Sequence, residues 1–245
     1  MKITILGSGD AFGSGGRFNT CLLVEAVGER MLLDCGSSSM VALNKANIAR
    51  NPISSLLFTH FHGDHFGALP AFLLDAQFVS RRNEPLTIAG PAGIEHRAWH
   101  ALEADFPGAS ANPWRFPIRF VEVTPEAPAM LAGLAITAFP MVHDERAGPC
   151  QGYRLARDGK VFAFSGDTAW SDELISLAAG ADVLLVECYN YDRPLANHLD
   201  YKTLAARRCD LATPRIVLTH MGPGMLAHDG PLPEERAHDG MVIVP

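Results

Sequence analysis

A chain of 245 residues, 48% of them hydrophobic and 19% charged, is long and apolar enough to bury a core, which excludes a disordered or fibrous protein. The formal net charge of −7 gives no general attraction for a long polyanion, so a nucleic acid held by a broad basic surface is not expected. No apolar stretch reaches the roughly 18 residues that a membrane span requires, and the first apolar run is too short for a secretion signal. The five cysteines are scattered and form no C-x-x-C pair, which predicts reduced thiols in a cytoplasmic protein, and no linker interrupts a single domain over residues 1–245.

Apolar runs rich in β-branched or aromatic residues predict strands along the whole chain. In chain order they are KITILG, TCLLVEA, RMLLDCG, SLLFTH, LTIAGP, IRFVEV, LAITAFPMV, GYRLAR, KVFAFSGD, DVLLVEC, RIVLTH and MVIV. Helical patterns lie between some of them, namely SSMVALNKANI, the stretch after Asp64, IEHRAWHALEADF, SDELISLAAG and HLDYKTLAARRCD. Early strands follow one another directly and later strands alternate with helices, so the sequence predicts an α/β layered fold with hairpins.

Several of the predicted strands end on an aspartate or a histidine. These segments are RMLLDCG, SLLFTHFHGDH, AITAFPMVH, VFAFSGD and RIVLTH. In open α/β sheets, sites gather at the C-terminal ends of the strands, where side chains are held rigidly and the loops leave room for a ligand. The pattern therefore predicts a functional site at that edge.

The densest part of this pattern is THFHGDH, residues 59–65. His60 and His62 stand at positions i and i+2 of an extended segment, so their side chains project to the same side. Gly63 permits a turn, after which Asp64 and His65 can face back toward the same space. Imidazoles combined with a carboxylate suit zinc, with manganese or iron as alternatives where oxygen ligands are richer. The competing interpretation is a solvated turn that happens to contain several histidines.

Four distant residues favour the metal site over the solvated turn. Each of them closes a predicted strand, and each alone would more often be a strand-end or capping residue. Together, at the same edge as the histidine cluster, they predict one site made of the cluster with Asp34, His143, Asp167 and His220.

The motif THFHGDH and the later His143, Asp167 and His220 resemble the metallo-β-lactamase superfamily. The resemblance implies a four-layer αββα sandwich with two divalent metal ions, zinc before manganese or iron, at one edge. It implies one metal on His60, His62 and His143, and the other on Asp64, His65 and His220, with Asp167 bridging them. It also implies that Asp34 accepts a hydrogen bond from a ligand imidazole and fixes its tautomer.

The glycine-rich opening GSGDAFGSGGRFNT does not predict a dinucleotide site. Its spacing is G-x-G-x-x-x-G, and it leads into another strand where a phosphate-binding helix would have to begin. A hairpin turn is the simple interpretation. Followed by LLDCG, however, the segment resembles the ribonuclease Z branch of phosphodiesterases, in which that loop borders the site.

A second segment, VLLVECYNYDRPLANHLDYKTLAARRCD, indicates more closely which members of that branch the chain resembles. It is similar to ribonuclease Z and, more closely, to the phosphoribosyl cyclic phosphodiesterase of phosphonate breakdown, which implies a catalytic histidine at His198. Glu187 would hold that imidazole in its cationic form. The alternatives are a surface residue at a helix start for His198 and an ordinary strand-end carboxylate for Glu187. The remaining histidines outside the motif are expected at the surface or in loops, namely His96, His100, His228 and His238.

These observations favour a hydrolase that attacks small cyclic or linear phosphodiesters with a hydroxide bridging two metals, His198 protonating the leaving oxygen. Asp64 is a further candidate for handling the proton of the attacking water. Ribonuclease Z carries a long tRNA-binding arm between the segments that match His143 and Asp167, and here only residues 144–166 separate them. A hydrolase of lactones, thioesters or other carboxylic esters, a ribonuclease Z-like RNA-processing enzyme, and a non-catalytic metal or nucleotide sensor stay as alternatives. No membrane partner is expected, and a homodimer is compatible with the resemblance.

Overall fold

The computed structural model describes residues 1–245, which form two seven-stranded sheets. The first sheet contains β1 (Lys2–Gly7), β2 (Cys21–Ala26), β3 (Glu29–Leu33), β4 (Ile53–Leu57), β5 (Leu86–Gly90), β6 (Ile118–Glu122) and β14 (Val242–Ile243). The second contains β7 (Ala129–Leu131), β8 (Leu134–Pro140), β9 (Gln151–Arg157), β10 (Lys160–Phe164), β11 (Val183–Glu187), β12 (Ile216–Thr219) and β13 (Glu235–Arg236). Strands β7 and β13 were not among the sequence predictions, because they have only three and two residues, too few to form a recognisable strand pattern.

Each sheet has an antiparallel half and a parallel half. The strand orders are β14-β1-β2-β3-β4-β5-β6 and β13-β12-β11-β10-β9-β8-β7. Strands β3 to β6 run parallel in the first sheet, and β10 to β13 run parallel in the second. Strand β8 is antiparallel to β9, which is antiparallel to β10, so β8 has the direction of β10. The strands predicted to end on ligand residues therefore deliver them to one edge of the sandwich.

Helices cover the outer face of each sheet. Their bounds are α1 (Ser39–Lys45), α2 (Gly63–Phe66), α3 (Leu69–Leu74), α4 (Ile94–Asp105), α5 (Asp172–Ala178), α6 (Tyr201–Ala206) and α7 (Pro223–Leu226). A π-helical turn, Asp75–Val79, extends α3, and short 3-10 turns occupy Ser14–Gly16, Ala109–Ala111, Glu145–Ala147 and Arg208–Asp210. None of these helices is long and apolar enough to cross a membrane.

The apolar core has three layers. The central layer lies between the sheets and contains Ile3, Leu22 and Met31 from the first sheet and Tyr153 and Phe162 from the second. A second layer joins the first sheet to α1, α3 and α4, and a third joins the second sheet to α5, α6 and α7. Burial of both faces of each sheet produces the predicted αββα sandwich, an α/β fold of the metallo-β-lactamase type.

Candidate metal centre

The loop after β4 carries the histidine cluster in the expected conformation. His62 has extended backbone angles, φ −67° and ψ 151°, and α2 begins at the next residue. Extended geometry through His60 and His62 followed by one helical turn brings Asp64 and His65 back to the side of the two histidines. The turn packs tightly on the loop after β3, because a Cβ atom at Gly36 would lie 2.0 Å from the Asp64 carbonyl oxygen. Only glycine fits at that position.

The first group of donor atoms consists of three imidazoles. His60 Nε2 lies 3.2 Å from His62 Nδ1, and His143 Nε2 lies 3.1 Å from the same atom. His143 reaches this point from the segment after β8, 81 residues away from His62. The donor atoms of the three residues lie within 4.8 Å of one another, so one metal ion fits between them.

Hydrogen bonds on the far side of two imidazoles decide which nitrogen is free. His143 Nδ1 lies 2.8 Å from the Asn197 carbonyl oxygen, which can only accept, so Nδ1 carries the hydrogen. His60 Nδ1 lies 3.0 Å from the Thr59 hydroxyl, whose own hydrogen is donated to Asp34 Oδ2 at 2.9 Å. Both Nε2 atoms are then lone-pair acceptors that face His62 Nδ1, which has at most one hydrogen to donate. A cation at the centre satisfies all three nitrogens.

The second group combines carboxylates with imidazoles, all buried: Asp64, His65, Asp167 and His220. His220 Nε2 lies 3.0 Å from Asp64 Oδ2 and 3.4 Å from Asp167 Oδ2. His65 Nε2 lies 3.0 Å from Asp167 Oδ1, yet neither atom has a hydrogen bond of acceptable geometry. Buried polar atoms without partners are costly, and a metal ion between them would remove that cost.

The charged residues of the second group shift one another's pKa values strongly. Burial alone would lower the pKa of His220, but Asp167 and the hydrogen bond with Asp64 raise it to about 9. Burial alone would raise the pKa of Asp64, but His65 and the His220 hydrogen bond lower it well below its usual value. These carboxylates therefore stay ionised and attract positive charge, whether protons on the imidazoles or a metal ion.

Asp167 connects the two groups, because its Oδ2 lies 3.8 Å from His143 Nε2 and 3.4 Å from His220 Nε2. The combined set of imidazole nitrogens and carboxylate oxygens suits zinc, with manganese or iron where oxygen dominates. The residues therefore fit divalent metal ions on both sides of Asp167.

Asp34 contacts His65 of the second group on the side of the imidazole that faces away from the other donor atoms. Its Oδ2 accepts a hydrogen bond from His65 Nδ1 at 2.7 Å, and its Oδ1 accepts one from the Thr59 amide at 2.8 Å. This fixes the His65 tautomer with Nε2 free. Asp34 and His220 both have positive φ, 58° and 55°, an uncommon conformation that the surrounding structure must hold in place.

His198 and Glu187 form a pair beside both groups. His198 Nδ1 lies 3.1 Å from each carboxylate oxygen of Glu187, the fully buried last residue of β11. Burial alone would lower the pKa of His198, but the Glu187 hydrogen bond raises it. The Thr168 amide also donates a hydrogen bond to Glu187, so this carboxylate has partners on two sides.

The helix expected to begin at His198 begins later. Helix α6 starts at Tyr201, because the Asp200 side chain accepts a hydrogen bond from the Thr203 amide at 3.0 Å and caps the helix there. His198 therefore lies in the preceding loop with its ring toward the metal donors. His96 and His100 lie exposed on α4, and His228 and His238 lie in loops, all outside the site.

A cavity of about 420 Å³ opens above these residues. Its polar wall consists of His62, Asp64, Asp167, His198 and His220, and the glycine-rich loop contributes Ala11 and Phe12. A small substrate in this cavity can reach both donor groups and His198 together.

Two carboxylates that shape the site were missed in the sequence. Asp10 accepts hydrogen bonds from the Phe12 and Ser14 amides at 3.2 and 2.8 Å. An aspartate bonded to the amide two residues on is a typical turn device, and its place in a glycine-rich segment was an available signal. Asp239 accepts from the Ser8 amide at 2.9 Å across 231 residues, which no local pattern reveals.

Comparison with known proteins identifies the family of the chain. The family model of the anti-Pycsar protein Apyc1 matches residues 1–241. Ribonuclease Z of Lachnoclostridium phytofermentans is 31% identical over 156 residues, which are 63% of this chain and 48% of that protein. The chain therefore spans about half the length of that curated relative.

Solved structures share the fold. Human tRNase Z, short form (ELAC1), superposes with a TM-score of 0.76 at 25% identity, covering 100% of this chain and 99% of the human one. A diphosphatase from the PhnP family has a TM-score of 0.75 at 17% identity, covering 99% of this chain and 97% of its own. The predicted resemblance to the metallo-β-lactamase superfamily near the ribonuclease Z branch is confirmed, and within that superfamily the chain belongs to the Apyc1 family of anti-Pycsar proteins.

Proposed function

We propose that this chain is a metal-dependent phosphodiesterase that acts on small cyclic or linear phosphodiesters. The observation that carries the proposal is the contact between His198 and Glu187 next to both donor groups. A phosphodiester with an alkoxide leaving group needs a proton donor, and a histidine whose pKa is raised by a buried carboxylate suits that task. A thioester expels a thiolate, a much better leaving group than an alkoxide, and so makes less demand on this pair.

Some of the site residues would bind the metal ions, and others would transfer protons. Divalent metal ions bound by the two donor groups would supply an activated water at neutral pH and would neutralise charge on the phosphate. Asp167 holds its two carboxylate oxygens toward both groups, and Asp34 keeps His65 in the binding tautomer. His198 holds a proton on the cavity side of its ring, because Nδ1 is turned toward Glu187, and delivers it to the departing oxygen.

The structure favours a small substrate over a folded RNA. Residues between His143 and Asp167 form one 3-10 turn and the hairpin of β9 and β10, with no protruding arm. The net charge of −7 adds no attraction for a polyanion. The name of the ribonuclease Z relatives nevertheless makes RNA 3′ processing the second candidate.

A substrate panel tests the proposal directly. We expect zinc- or manganese-loaded protein to hydrolyse cyclic and linear phosphodiesters faster than lactones and thioesters, and to leave a pre-tRNA 3′ trailer intact. Efficient, salt-sensitive trimming of pre-tRNA would support the RNA-processing alternative instead. Preference for lactones or thioesters would refute the assignment to phosphodiesters.

A further inference from the structure

The cavity above the metal donors has an apolar side that the proton-transfer chemistry does not use. Phe12 and Leu195 line it with exposed fractions of 82% and 38%. Tyr189 lines it too, with its ring centroid 5.0 Å from that of His198. A phenylalanine left this exposed gives up the free energy that burying its ring would contribute.

The loop that carries Phe12 is held rigidly at its centre. The buried Asp10 carboxylate accepts hydrogen bonds from the Phe12 amide and from both the amide and hydroxyl of Ser14, at 3.2, 2.8 and 2.7 Å. The Asn19 side chain donates to the Asp10 carbonyl oxygen at 2.8 Å. An aspartate that bonds the next amides in this way keeps the turn in one conformation.

The ends of the same loop are tied to the C-terminal segment. Asp239 accepts hydrogen bonds from the amides of Ser8 and Phe18, each at 2.9 Å. Phe12 is thus displayed at the cavity by an ordered loop, so little conformational entropy remains to be lost when a ligand packs against it.

The charge of the residues lining the cavity limits which substituents a bound phosphodiester can carry. None of the residues lining the cavity is a lysine or arginine, and Asp64 and Asp167 are among them. One phosphate can be neutralised by metal ions and by His198. A second phosphate on the apolar side of the cavity would meet no lysine or arginine, so the rest of the ligand must be uncharged where it meets Phe12.

We propose that Phe12 is a specificity-determining residue, which packs against a flat apolar substituent carried by a single scissile phosphate. Leu195 and Tyr189 complete the apolar contact. This inference rests on the proposed phosphodiesterase function and adds to it the class of diester that the cavity selects.

Two diesters with the same leaving group allow the contribution of the Phe12 contact to be measured separately from the departure of the leaving group. Phenyl p-nitrophenyl phosphate and methyl p-nitrophenyl phosphate both release p-nitrophenolate and differ only in the substituent that remains. We expect Phe12→Ala to lower kcat/KM about 5- to 10-fold for the phenyl diester and less than about twofold for the methyl diester, since an aromatic contact is lost only in the first case. Phe12→Trp should retain the preference for the phenyl diester.

Phe78→Ala is the matched control, because Phe78 is 58% exposed and does not line the cavity. It should change neither rate. Calorimetric binding of phenylphosphonate and methylphosphonate to zinc-loaded protein gives a readout independent of turnover. Phe12→Ala should weaken the phenylphosphonate by a similar factor and leave the methylphosphonate unchanged.

Equal losses on both diesters, or no loss on either, would overturn the inference while leaving the phosphodiesterase intact. A change in sedimentation of Phe12→Ala together with equal losses would assign Phe12 to a contact between subunits and would also overturn it. If wild-type protein cleaves neither of these diesters nor any cyclic diester, the proposed function fails, and the two phosphonates then decide the role of Phe12 separately.

Discussion

The two donor groups are built from the same sheet edge but differ in charge and burial. The first contains three imidazoles and no carboxylate, and the His62 side chain is 36% exposed. The second contains two carboxylates and two imidazoles, each at most 8% exposed. Burial holds the pKa of His60 in the first group well below its usual value, whereas the carboxylates raise the pKa of His220 in the second.

The two groups attract a cation in different ways. The first offers lone pairs that tautomers fixed by Thr59 and Asn197 leave free. The second offers fixed negative charge in a region of low dielectric constant, where an uncompensated carboxylate is expensive. Only Asp167 belongs to the chemistry of both, so changes at Asp167 and changes at one group alone should have distinct consequences.

The largest effect is expected from Asp167→Ala, which breaks the connection between the groups. Metal content should fall, and kcat/KM for a phosphodiester should drop by about 10⁴-fold or more, because several kcal/mol of charge stabilisation are lost. Elemental analysis and steady-state kinetics on the same preparation measure both. Full activity with unchanged metal content would contradict the bridging position.

His198→Ala leaves both groups intact and removes only the adjacent proton donor. Metal content should stay constant, while the rate on a diester with an alkoxide leaving group should fall about 10²–10⁴-fold, as expected for a general acid. With p-nitrophenolate, which departs without a proton, the loss should be much smaller. Glu187→Gln should show the same pattern with smaller amplitude.

His96→Ala is the matched control, since His96 is exposed on α4. Equal losses of His198→Ala on both leaving groups would indicate phosphate binding instead of acid catalysis. If His198→Ala loses no activity on either substrate, carboxylic-ester hydrolysis becomes the favoured function.

Asp34→Asn acts directly on the second group, through His65, and on the first group only through the Thr59 hydroxyl. Asparagine tolerates the positive φ of 58° at this position, so the backbone should be preserved. Weaker support of His65 should lower metal affinity about 10- to 100-fold. Competition with a chromophoric chelator measures this, and two affinities reduced equally would show that Asp34 serves both groups alike.

Chelation should produce the smallest change, a loss of stability without a change of fold. An ion present at about 100 times its dissociation constant stabilises the folded chain by about 2.7 kcal/mol. For a chain of this size, that corresponds to a fall in Tm of about 5–10 °C per ion removed. Thermal unfolding with EDTA, and after zinc is restored, would show it; an unchanged Tm would mean that neither group binds metal in the folded protein.

Much of this site could be predicted from the sequence, because an apolar run that ends on aspartate or histidine is a local signal. Strands β3, β4, β8, β10 and β12 all carried it. The parallel pairing of β3 with β4 and of β10 to β12, and the shared direction of β8 and β10, bring the ends of these strands together. The supporting contacts were harder to predict. His143 is oriented by a backbone carbonyl at Asn197, and the glycine-rich loop is held by Asp239 from the other end of the chain. Neither contact leaves a pattern in the residue types.

Elemental analysis shows whether the two adjacent donor groups each hold a metal ion. It is done on wild-type protein purified without chelator under zinc- or manganese-replete conditions. The two groups joined by Asp167 predict two ions per chain, and Asp167→Ala should reduce that value. A reproducible content of one ion or fewer in the wild-type protein would contradict the dinuclear account.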